Sequence, residues 1–472
     1  MAGAGGTPAL RPRVRAKSGS SIQRPRHGIV TTSSRPSVAF ETLGCRLNQA
    51  DSEELARRFL QEGYNVVGDQ TVADVIVVNS CTVTHLADRQ SRQAVRHAAR
   101  QRPDAIVVLT GCYPSVSPEE ARQVGGVTLV VGNRDKDTLV QRVTQALAGR
   151  GVSLPDPEPA PTPLPGWFGR TRVQLKVEEG CNNRCSFCIV PVARGVQRSR
   201  TIDECVAAVG GFEASGYREV VLTGTHLGGY GRDLTEPAVN GRRRATTLSD
   251  LVAALLERTG IERIRLSSVE PQDFHHVRLD LWQDRRLCRH FHLPVQSGSN
   301  AVLRRMRRGY TRERYLSLVG TVQERVSNAA VTTDVIAGFP GEDEADFQET
   351  CSLVEAVGFA KVHAFPYSPR DGTDAAVMDG QLDPRIKRQR IVQLTNLSDD
   401  LARRFRERHV GTTVQVLWEE ESAPGMWQGL TGDYLRVQAS SDRPLHNRIT
   451  SVRVTRTTAW GCAGEPLPPP LP

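Results

Sequence analysis

Short apolar runs alternate with helical segments through most of this chain, and this order of elements constrains its fold more than any other feature. Between residues 37 and 150, the runs VAFETLGC, ADVIVVNSC, AIVVLTGC and VTLVVG are separated by helical stretches such as QADSEELARRFLQEG. Alternating strands and helices pack as a parallel sheet with helices on its faces. Residues 37–150 are therefore predicted to form an α/β domain with a doubly wound parallel sheet.

The alternation restarts at Thr171 with six candidate strands: TRVQLKV, YREVVLTGT, RIRLSSV, HFHLPVQS, AVTTDVIAGF and KVHAFPYS. Six strand-helix units favour a partial (β/α)6 barrel over the closed eight-stranded form for residues 167–408, with ligands at the carboxyl ends of the strands. The pattern then changes to short strands and turns, as in TTVQVLWEE and MWQGLTGDYLRVQA. Residues 409–460 are predicted to form a small β-barrel module.

Three segments have compositions that do not predict a packed core. Residues 151–166 contain LPDPEPAPTPLPG, which favours an extended proline-rich linker, and residues 461–472 end in EPLPPPLP, which is typical of a proline-rich tail. Residues 1–36 are rich in Arg and Ser and contain no acid. This composition is shared by organelle transit peptides and disordered arms, and we favour a disordered basic arm.

The net charge of +9 comes mostly from one end of the chain. Residues 1–40 hold six Arg, one Lys and no acid, so they supply +7 and leave +2 for the rest. Any contact with a polyanion must therefore come from local patches. The sequence contains no run of eighteen or more uncharged apolar residues, so no membrane span is predicted. The ten cysteines lack the spacing of a small disulfide scaffold, which favours a reducing compartment, the cytoplasm.

Three cysteines follow the first strand of the predicted barrel, in the stretch GCNNRCSFC: Cys181, Cys185 and Cys188. Their loop lies at the carboxyl mouth of the barrel. A structural zinc site uses four ligands, whereas an iron–sulfur cube held by three thiolates keeps one iron free for a small ligand. The spacing therefore favours a [4Fe-4S] cluster. Phe187, between two of these cysteines, is predicted either to shield the cluster or cofactor or to pack in the core.

Polar residues that follow other strands of the barrel converge on the same mouth. Those predicted to line the cofactor site are Thr223, Ser268, Glu270 and Gln296.

Three successive strands of the first domain each end in a cysteine: Cys45, Cys81 and Cys112. The carboxyl ends of neighbouring parallel strands lie on one edge of the sheet, so these side chains are predicted to meet in a second three-thiolate site. The alternative is that they are buried small hydrophobic residues. The other cysteines show no such pattern and are predicted to pack in the core: Cys205, Cys288, Cys351 and Cys462.

Two three-cysteine sites followed by a small β module resemble the radical S-adenosylmethionine methylthiotransferases, over about residues 38–458. The resemblance rests on TLGCRLNQADSE, NSCTVTHLADRQSRQAVR, LTGCYP, VEEGCNNRCSFCIVPVARG, EVVLTGTHLGGYG, RIRLSSVEP, HLPVQSGSNAVLRRMRRGYTRERY, TDVIAGFPGEDEADF and HAFPYSPRDGTDAA. The segments TLGCRLNQADSE and SCTVTHLADRQSR are similar to those of the family branch that acts on N6-threonylcarbamoyladenosine at position 37 of tRNA. GLTGDYLRV resembles part of a TRAM domain, a β module that holds RNA.

The resemblance implies two [4Fe-4S] clusters and two molecules of S-adenosylmethionine per turnover. Cys181, Cys185 and Cys188 would hold the cluster that cleaves S-adenosylmethionine to a radical, and these three are the implied catalytic ligands. Cys45, Cys81 and Cys112 would hold an auxiliary cluster that presents sulfur to adenine C2. Implied partners are the tRNA anticodon loop and an electron donor such as flavodoxin or ferredoxin, with neither DNA nor a membrane expected.

Three alternatives stay open from the sequence. Two keep the chemistry and change the substrate, to isopentenyladenosine 37 of tRNA or to an aspartate of a ribosomal protein. The third is an iron–sulfur RNA-binding regulator without turnover.

Basic segments give candidate RNA contacts. The run LRRMRRGYTRERY holds six arginines interleaved with Tyr310 and Tyr315, which suits phosphate contact and base stacking, or else a solvated helix face. The basic helix RIKRQRIVQLTNLSDDLARRFRERH leads into the β module and could continue an RNA groove. Arg184 and Arg194 could tune a cluster, although solvated arginines are the favoured interpretation.

Overall fold

The computed structural model describes residues 35–152, 154, 165–166, 170–234 and 245–468. They belong to one compact unit, residues 35–472. Nearly all of the predicted basic arm and most of the predicted linker lie outside the described residues, so both stay predictions. Within the described part of the chain, no helix has the length and apolar character needed to cross a bilayer.

The N-terminal region is a parallel sheet of five strands in the order β2-β1-β3-β4-β5. Its strands are β1 Ser37–Thr42, β2 Asn65–Val67, β3 Val75–Ser80, β4 Ile106–Gly111 and β5 Leu129–Gly132. Its helices are α1 Arg46–Gln61, α2 His85–Gln101, α3 Cys112–Val116, α4 Pro118–Arg122 and α5 Leu139–Ala148. Strands β3 and β4 are buried at every residue, because helices cover both faces of the sheet. The doubly wound parallel sheet is confirmed.

The central region contains six parallel strands in two three-stranded sheets, β10-β9-β6 and β11-β12-β13. Parallel bridges join the two sheets, including Ser268 with His292, so the strands form one open barrel wall. The strands are β6 Arg172–Lys176, β9 Glu219–Thr223, β10 Arg263–Leu266, β11 His290–His292, β12 Ala330–Ala337 and β13 Lys361–Pro366. The partial six-stranded barrel is confirmed.

Helices follow the barrel strands and cover the outside of the wall, and their apolar faces join the strands in one core. They are α6 Val190–Arg194, α7 Ile202–Ala214, α8 Leu248–Arg258, α9 Asn300–Arg305, α10 Arg312–Arg325, α11 Glu344–Val357 and α12 Pro384–Glu407. A short antiparallel pair, β7 Glu178–Glu179 and β8 Arg198–Ser199, flanks the loop that carries Cys181, Cys185 and Cys188.

The C-terminal region is a closed barrel in the order β14-β15-β16-β18-β17. Its strands are β14 Thr413–Ala423, β15 Met426–Thr431, β16 Arg436–Ser440, β17 Ile449–Thr458 and β18 Gly461–Pro466. The small β-barrel is confirmed, but the tail predicted for residues 461–472 is wrong at its start. Strand β18 pairs with both β16 and β17 and closes the barrel, so the module extends to Pro466.

Candidate active site

The three N-terminal cysteines lie on neighbouring strands, because β1, β3 and β4 are adjacent in the sheet. Cys45 is the N-cap of α1, Cys81 directly follows β3, and Cys112 begins α3 after β4. All three are free thiols. Burial, together with the nearby Cys112 and Cys45, raises the pKa of Cys81 to about 11. The structure therefore brings the three thiols to one edge of the sheet.

Two glycines allow this close approach. Gly44 has φ +90°, and a Cβ there would lie 2.7 Å from Cβ of Cys81 and 2.9 Å from its Sγ. Gly111 has φ +99°, and a Cβ there would lie 2.4 Å from the carbonyl oxygen of Ser80. Only glycine combines this backbone conformation with the absence of a Cβ. Because Gly44 and Gly111 have no side chain, space remains around the three thiols.

Backbone hydrogen bonds fix the loop of Cys181, Cys185 and Cys188. The amide of Cys181 donates to the carbonyl of Gly195 at 3.1 Å, and the amide of Cys188 donates to the carbonyl of Cys185 at 3.2 Å. Gly180, at φ +87°, lies where a Cβ would be 2.0 Å from the carbonyl oxygen of Val196. Burial raises the pKa of Cys188 to about 12, with further contributions from the neighbouring Cys185 and Cys181. The loop therefore holds its thiols as a compact group.

Arg308 contacts this second group of thiols. Its guanidinium donates to Sγ of Cys185 at 3.3 Å and pairs with the carboxylate of Glu270. Tyr310, two residues further on, is buried and donates from its hydroxyl to the carbonyl of Val295 at 2.9 Å. Tyr315 is also buried in the core. The expectation that these two tyrosines stack on RNA bases is therefore wrong, because neither ring is accessible.

One cavity of about 1350 Å³ is lined by residues of both the N-terminal sheet and the barrel, although Cys181, Cys185 and Cys188 are not among its lining residues. The N-terminal sheet contributes Cys45, Cys81 and Cys112 to its lining, and the barrel contributes Thr223, Ser268, Glu270 and Gln296. Gln296 has φ +66°, an unusual conformation for a residue other than glycine and one that recurs at functional sites. Phe187 instead packs edge-on against Phe339, with ring centroids 6.4 Å apart. The lining residues predicted at the strand ends thus face the same space as the N-terminal thiols.

A buried charge network connects the N-terminal sheet with the barrel. The carboxylate of Asp51, on α1, lies 2.7 Å from Nζ of Lys136, 2.7 Å from Nζ of Lys176 and 3.2 Å from the guanidinium of Arg194. Burial opposes ionisation of Asp51, but these three cations together hold its pKa well below its usual range. Arg194 is buried and lines the cavity, so solvation was the wrong interpretation for it, whereas Arg184 is exposed.

Sequence reasoning missed several residues that organise the site. Two of them are Asp51 and Arg308. Arg370 is buried and donates to Asp88 at 2.6 Å and to Thr82 at 2.9 Å, next to Cys81. Its position in HAFPYSPRDGTDAA gave no signal, because the partners are more than 280 residues away.

The candidate ligands in both groups are cysteine thiols. Within the described ranges, no group of three His, Cys, Asp or Glu residues is arranged to hold one metal ion. A cube places each thiolate on a different iron and suits three-cysteine sets of this kind. Of the remaining cysteines, Cys205, Cys288 and Cys462 are buried and Cys351 is partly buried.

Comparisons with known proteins agree with this architecture. Residues 37–132 match the model of the uncharacterized protein family UPF0004, and residues 175–354 match that of the Radical SAM superfamily. The chain is 37% identical over 430 residues to "Threonylcarbamoyladenosine tRNA methylthiotransferase MtaB" of Bacillus subtilis (strain 168), covering 89% of this chain and 94% of the relative. It is 41% identical over 392 residues to the protein of the same name from Aquifex aeolicus (strain VF5), covering 82% and 93%.

A third relative carries a different substrate in its name. The chain is 35% identical over 459 residues to "tRNA-2-methylthio-N(6)-dimethylallyladenosine synthase" of Symbiobacterium thermophilum, covering 92% of this chain and 95% of the relative. Among solved structures, the radical S-adenosylmethionine methyltransferase TsrM from Kitasatospora setae matches with a TM-score of 0.52 and 16% identity, covering 73% of this chain and 74% of that chain. This last match supports the fold alone.

The open six-stranded barrel with its three-cysteine loop defines a radical S-adenosylmethionine enzyme. The relatives, each at least 35% identical over most of both chains, narrow the class: the chain belongs to the radical S-adenosylmethionine methylthiotransferase family.

Proposed function

We propose that this chain attaches a methylthio group to C2 of N6-threonylcarbamoyladenosine at position 37, in the anticodon loop of tRNA. The cavity carries the proposal, because the N-terminal thiols and the strand-end residues of the barrel line the same space. This chain matches relatives that are named for this reaction, and the match spans most of the length of each relative. These relatives further support the proposed substrate.

The residues fit two iron–sulfur cubes, one at each group of three cysteines. When bound, the cube at Cys181, Cys185 and Cys188 would cleave S-adenosylmethionine to a radical that removes hydrogen from C2, and the cube at the N-terminal cysteines would supply sulfur. The chain itself positions the reacting groups. Arg308 holds the Cys185 loop against Glu270, and residues of both the N-terminal sheet and the barrel line one cavity.

Features around the cavity suit an RNA substrate. Trp460 and Phe365 line it and keep 84% and 45% of their surfaces exposed, so both rings are available for stacking. Helix α12 and the C-terminal barrel contribute to the same lining through Arg406 and Arg436. Position 37 lies in a loop, so turning its base out of the stack costs little. Flavodoxin or ferredoxin is the proposed electron donor, and the cytoplasm is the proposed location.

Anaerobic reconstitution tests this proposal. We expect about eight irons per chain, falling to about four in the triple alanine variant of Cys45, Cys81 and Cys112, and no loss in the matched control Cys351→Ala. With S-adenosylmethionine, a reductant and an anticodon stem–loop carrying the threonylcarbamoyl nucleotide, mass spectrometry should detect the methylthio product. The triple variant should form 5′-deoxyadenosine without that product.

Three outcomes would contradict the proposal. Conversion of only a dimethylallyladenosine stem–loop would assign the other tRNA substrate. Absence of 5′-deoxyadenosine from the wild type would favour a regulator without turnover. Methylthio product from the triple variant would remove the N-terminal cysteines from the reaction.

A further inference from the structure

Tyr434 reaches from the C-terminal barrel into the wall of the cavity. It lies in the turn between β15 and β16 with φ +65°, and its ring meets that of His290 edge-on with centroids 4.5 Å apart. Three guanidinium groups pack on the same ring, with the carbon of Arg265 at 3.8 Å, that of Arg46 at 5.2 Å and that of Arg172 at 5.5 Å from its centroid. Cations gather here on an aromatic face.

Two of these three arginines already have a carboxylate partner. Arg265 pairs with Glu219 at 2.7 Å, and Arg172 pairs with Glu419 at 2.9 Å. Among the described residues, no carboxylate forms an ion pair with Arg46. Arg46 is also the one that lines the cavity, and it is half-buried there. Its charge is therefore directed at the cavity and not at a protein acid.

Among the described residues, each acid that lines the cavity contacts a basic side chain other than Arg46. The pairs are Glu270 with Arg308, Asp334 with His292, Asp399 with Lys361, and Asp433 with His409. Burial lowers the pKa of His290, and the nearby charges of Arg265 and Arg46 lower it further. Arg46 is thus a cation in the cavity lining without an ion-pair partner among the described residues.

The position of Arg46 relates this cation to the reacting carbon. It directly follows Cys45, so their Cα atoms are about 3.8 Å apart. Two further arginines without a described acid partner, Arg406 and Arg436, also line the cavity, but they belong to α12 and β16, which carry no cysteine of either site. A substrate whose C2 is presented to the N-terminal cysteines therefore places its adjoining groups within reach of Arg46.

We propose that Arg46 binds the carboxylate of the threonylcarbamoyl group and so selects this nucleotide over one with an uncharged N6 substituent. The inference rests on the proposed function, since it deepens the substrate assignment of the same site. A guanidinium and a carboxylate form two parallel charge-assisted hydrogen bonds, and Tyr434 holds the guanidinium plane in place. Arg46 contacts the substrate side chain and takes no part in the chemistry at C2.

The test is a binding measurement on the reconstituted protein with three anticodon stem–loops. They carry at position 37 the threonylcarbamoyl nucleotide, its neutral methyl ester, or unmodified adenosine. We expect the wild type to bind the free acid about 10- to 100-fold more tightly than the ester, the range for a hydrogen bond to a charged group. Arg46→Gln should bind the acid as weakly as the ester. Arg46→Lys should keep part of the preference, because it retains the charge without the planar fork.

Controls separate this inference from the proposed function. Arg142→Gln, at an exposed position on α5, should behave as the wild type. Iron content and thermal unfolding show whether the Arg46 variants are folded. The ratio of the wild-type affinities for the acid and the ester is measured without any substitution, so a folding defect in a variant does not affect it. An Arg46→Gln protein that keeps the wild-type ratio, or a wild type that does not distinguish acid from ester, would overturn the inference. If the wild type methylthiolates only a dimethylallyladenosine loop, the proposed function itself is wrong.

Discussion

Replacing Asp51 by asparagine should destabilise the protein more than a surface substitution does, because it removes a fully buried carboxylate that contacts three cations at once. The Asp51 side chain is fully buried, and its oxygens lie within 3.2 Å of Lys136, Lys176 and Arg194. Asparagine keeps the shape and loses the charge. The three cations would then lie close together, with Glu179 and Glu54 as the nearest remaining acids to Lys176.

The magnitude follows from burial and not from distance. Removing one partner of a buried ion pair costs about 3–5 kcal/mol, since the other charge stays buried and uncompensated. The exposed pair between Arg58 and Asp137 has the same 2.7 Å separation, but Asp137 is 85% exposed. Such a surface pair contributes about 0–1 kcal/mol. Asp51→Asn and Asp137→Asn each remove a carboxylate that lies 2.7 Å from a cation, one buried with three cationic neighbours and the other exposed with one, so the second variant serves as a surface control.

Urea unfolding of the wild type and the variants, followed by far-ultraviolet circular dichroism, measures this difference. Asp51→Asn should lower the free energy of unfolding by about 3–5 kcal/mol, and Asp137→Asn by at most about 1 kcal/mol. Adding Lys136→Met to Asp51→Asn should recover part of the loss, because it removes one uncompensated cation. If the two single variants are equally stable, or if the double variant is no better than Asp51→Asn, the network does not stabilise the fold as argued.

Three further predictions use other parts of the structure. Gly44→Ala should displace the thiol of Cys81 and lower the iron content by about four per chain. Gly151→Ala should leave the iron content unchanged, because Gly151 also has a positive φ but has open space around it. Equal iron contents in the two variants would contradict this prediction. His409→Gln should lower the melting temperature more at pH 6 than at pH 8.5. Burial opposes protonation of His409, but Asp433 raises its pKa, and the stability gained by protonation is lost as pH rises through that pKa. A loss of melting temperature that is the same at both pH values would exclude this ion pair as the cause. Trp460→Ala should weaken tRNA binding about 10- to 100-fold through loss of stacking, with unchanged iron content, and full affinity would show that the ring does not contact RNA.

The architecture was accessible from the sequence because it depends on local periodicity. Buried runs such as VIVV in β3 and IVVL in β4, separated by helical segments, predict parallel strands without any knowledge of distant contacts. The convergence of Cys45, Cys81 and Cys112 follows from the same rule, since parallel neighbours end on one edge. Strand β18 was missed because GCAGEP contains two glycines and a proline, and its strand conformation depends on pairing with β16 and β17.

The side chains that organise the site were not accessible in this way. Arg194 and Asp51 are 143 residues apart, and no local pattern marks either as buried. The arginine run from 304 to 314 shows the same limit, because one of its members, Arg308, turns inward to Cys185 and Glu270. Composition identifies a basic segment, but it does not predict which arginine in the segment forms an ion pair with a buried acid. That choice depends on tertiary contacts between elements far apart in sequence.

The placement of Arg194 shows why the two cysteine groups keep a fixed relation to each other. Arg194 ends α6, the helix that follows the loop of Cys181, Cys185 and Cys188, and it donates to Asp51 on α1, whose N-cap is Cys45. One buried ion pair therefore joins the helices that adjoin the two groups of thiols. Because a shift of either helix would separate buried charges, the electrostatic cost opposes any change in the distance between the groups. The network thereby stabilises a single spacing between the two groups of cysteines.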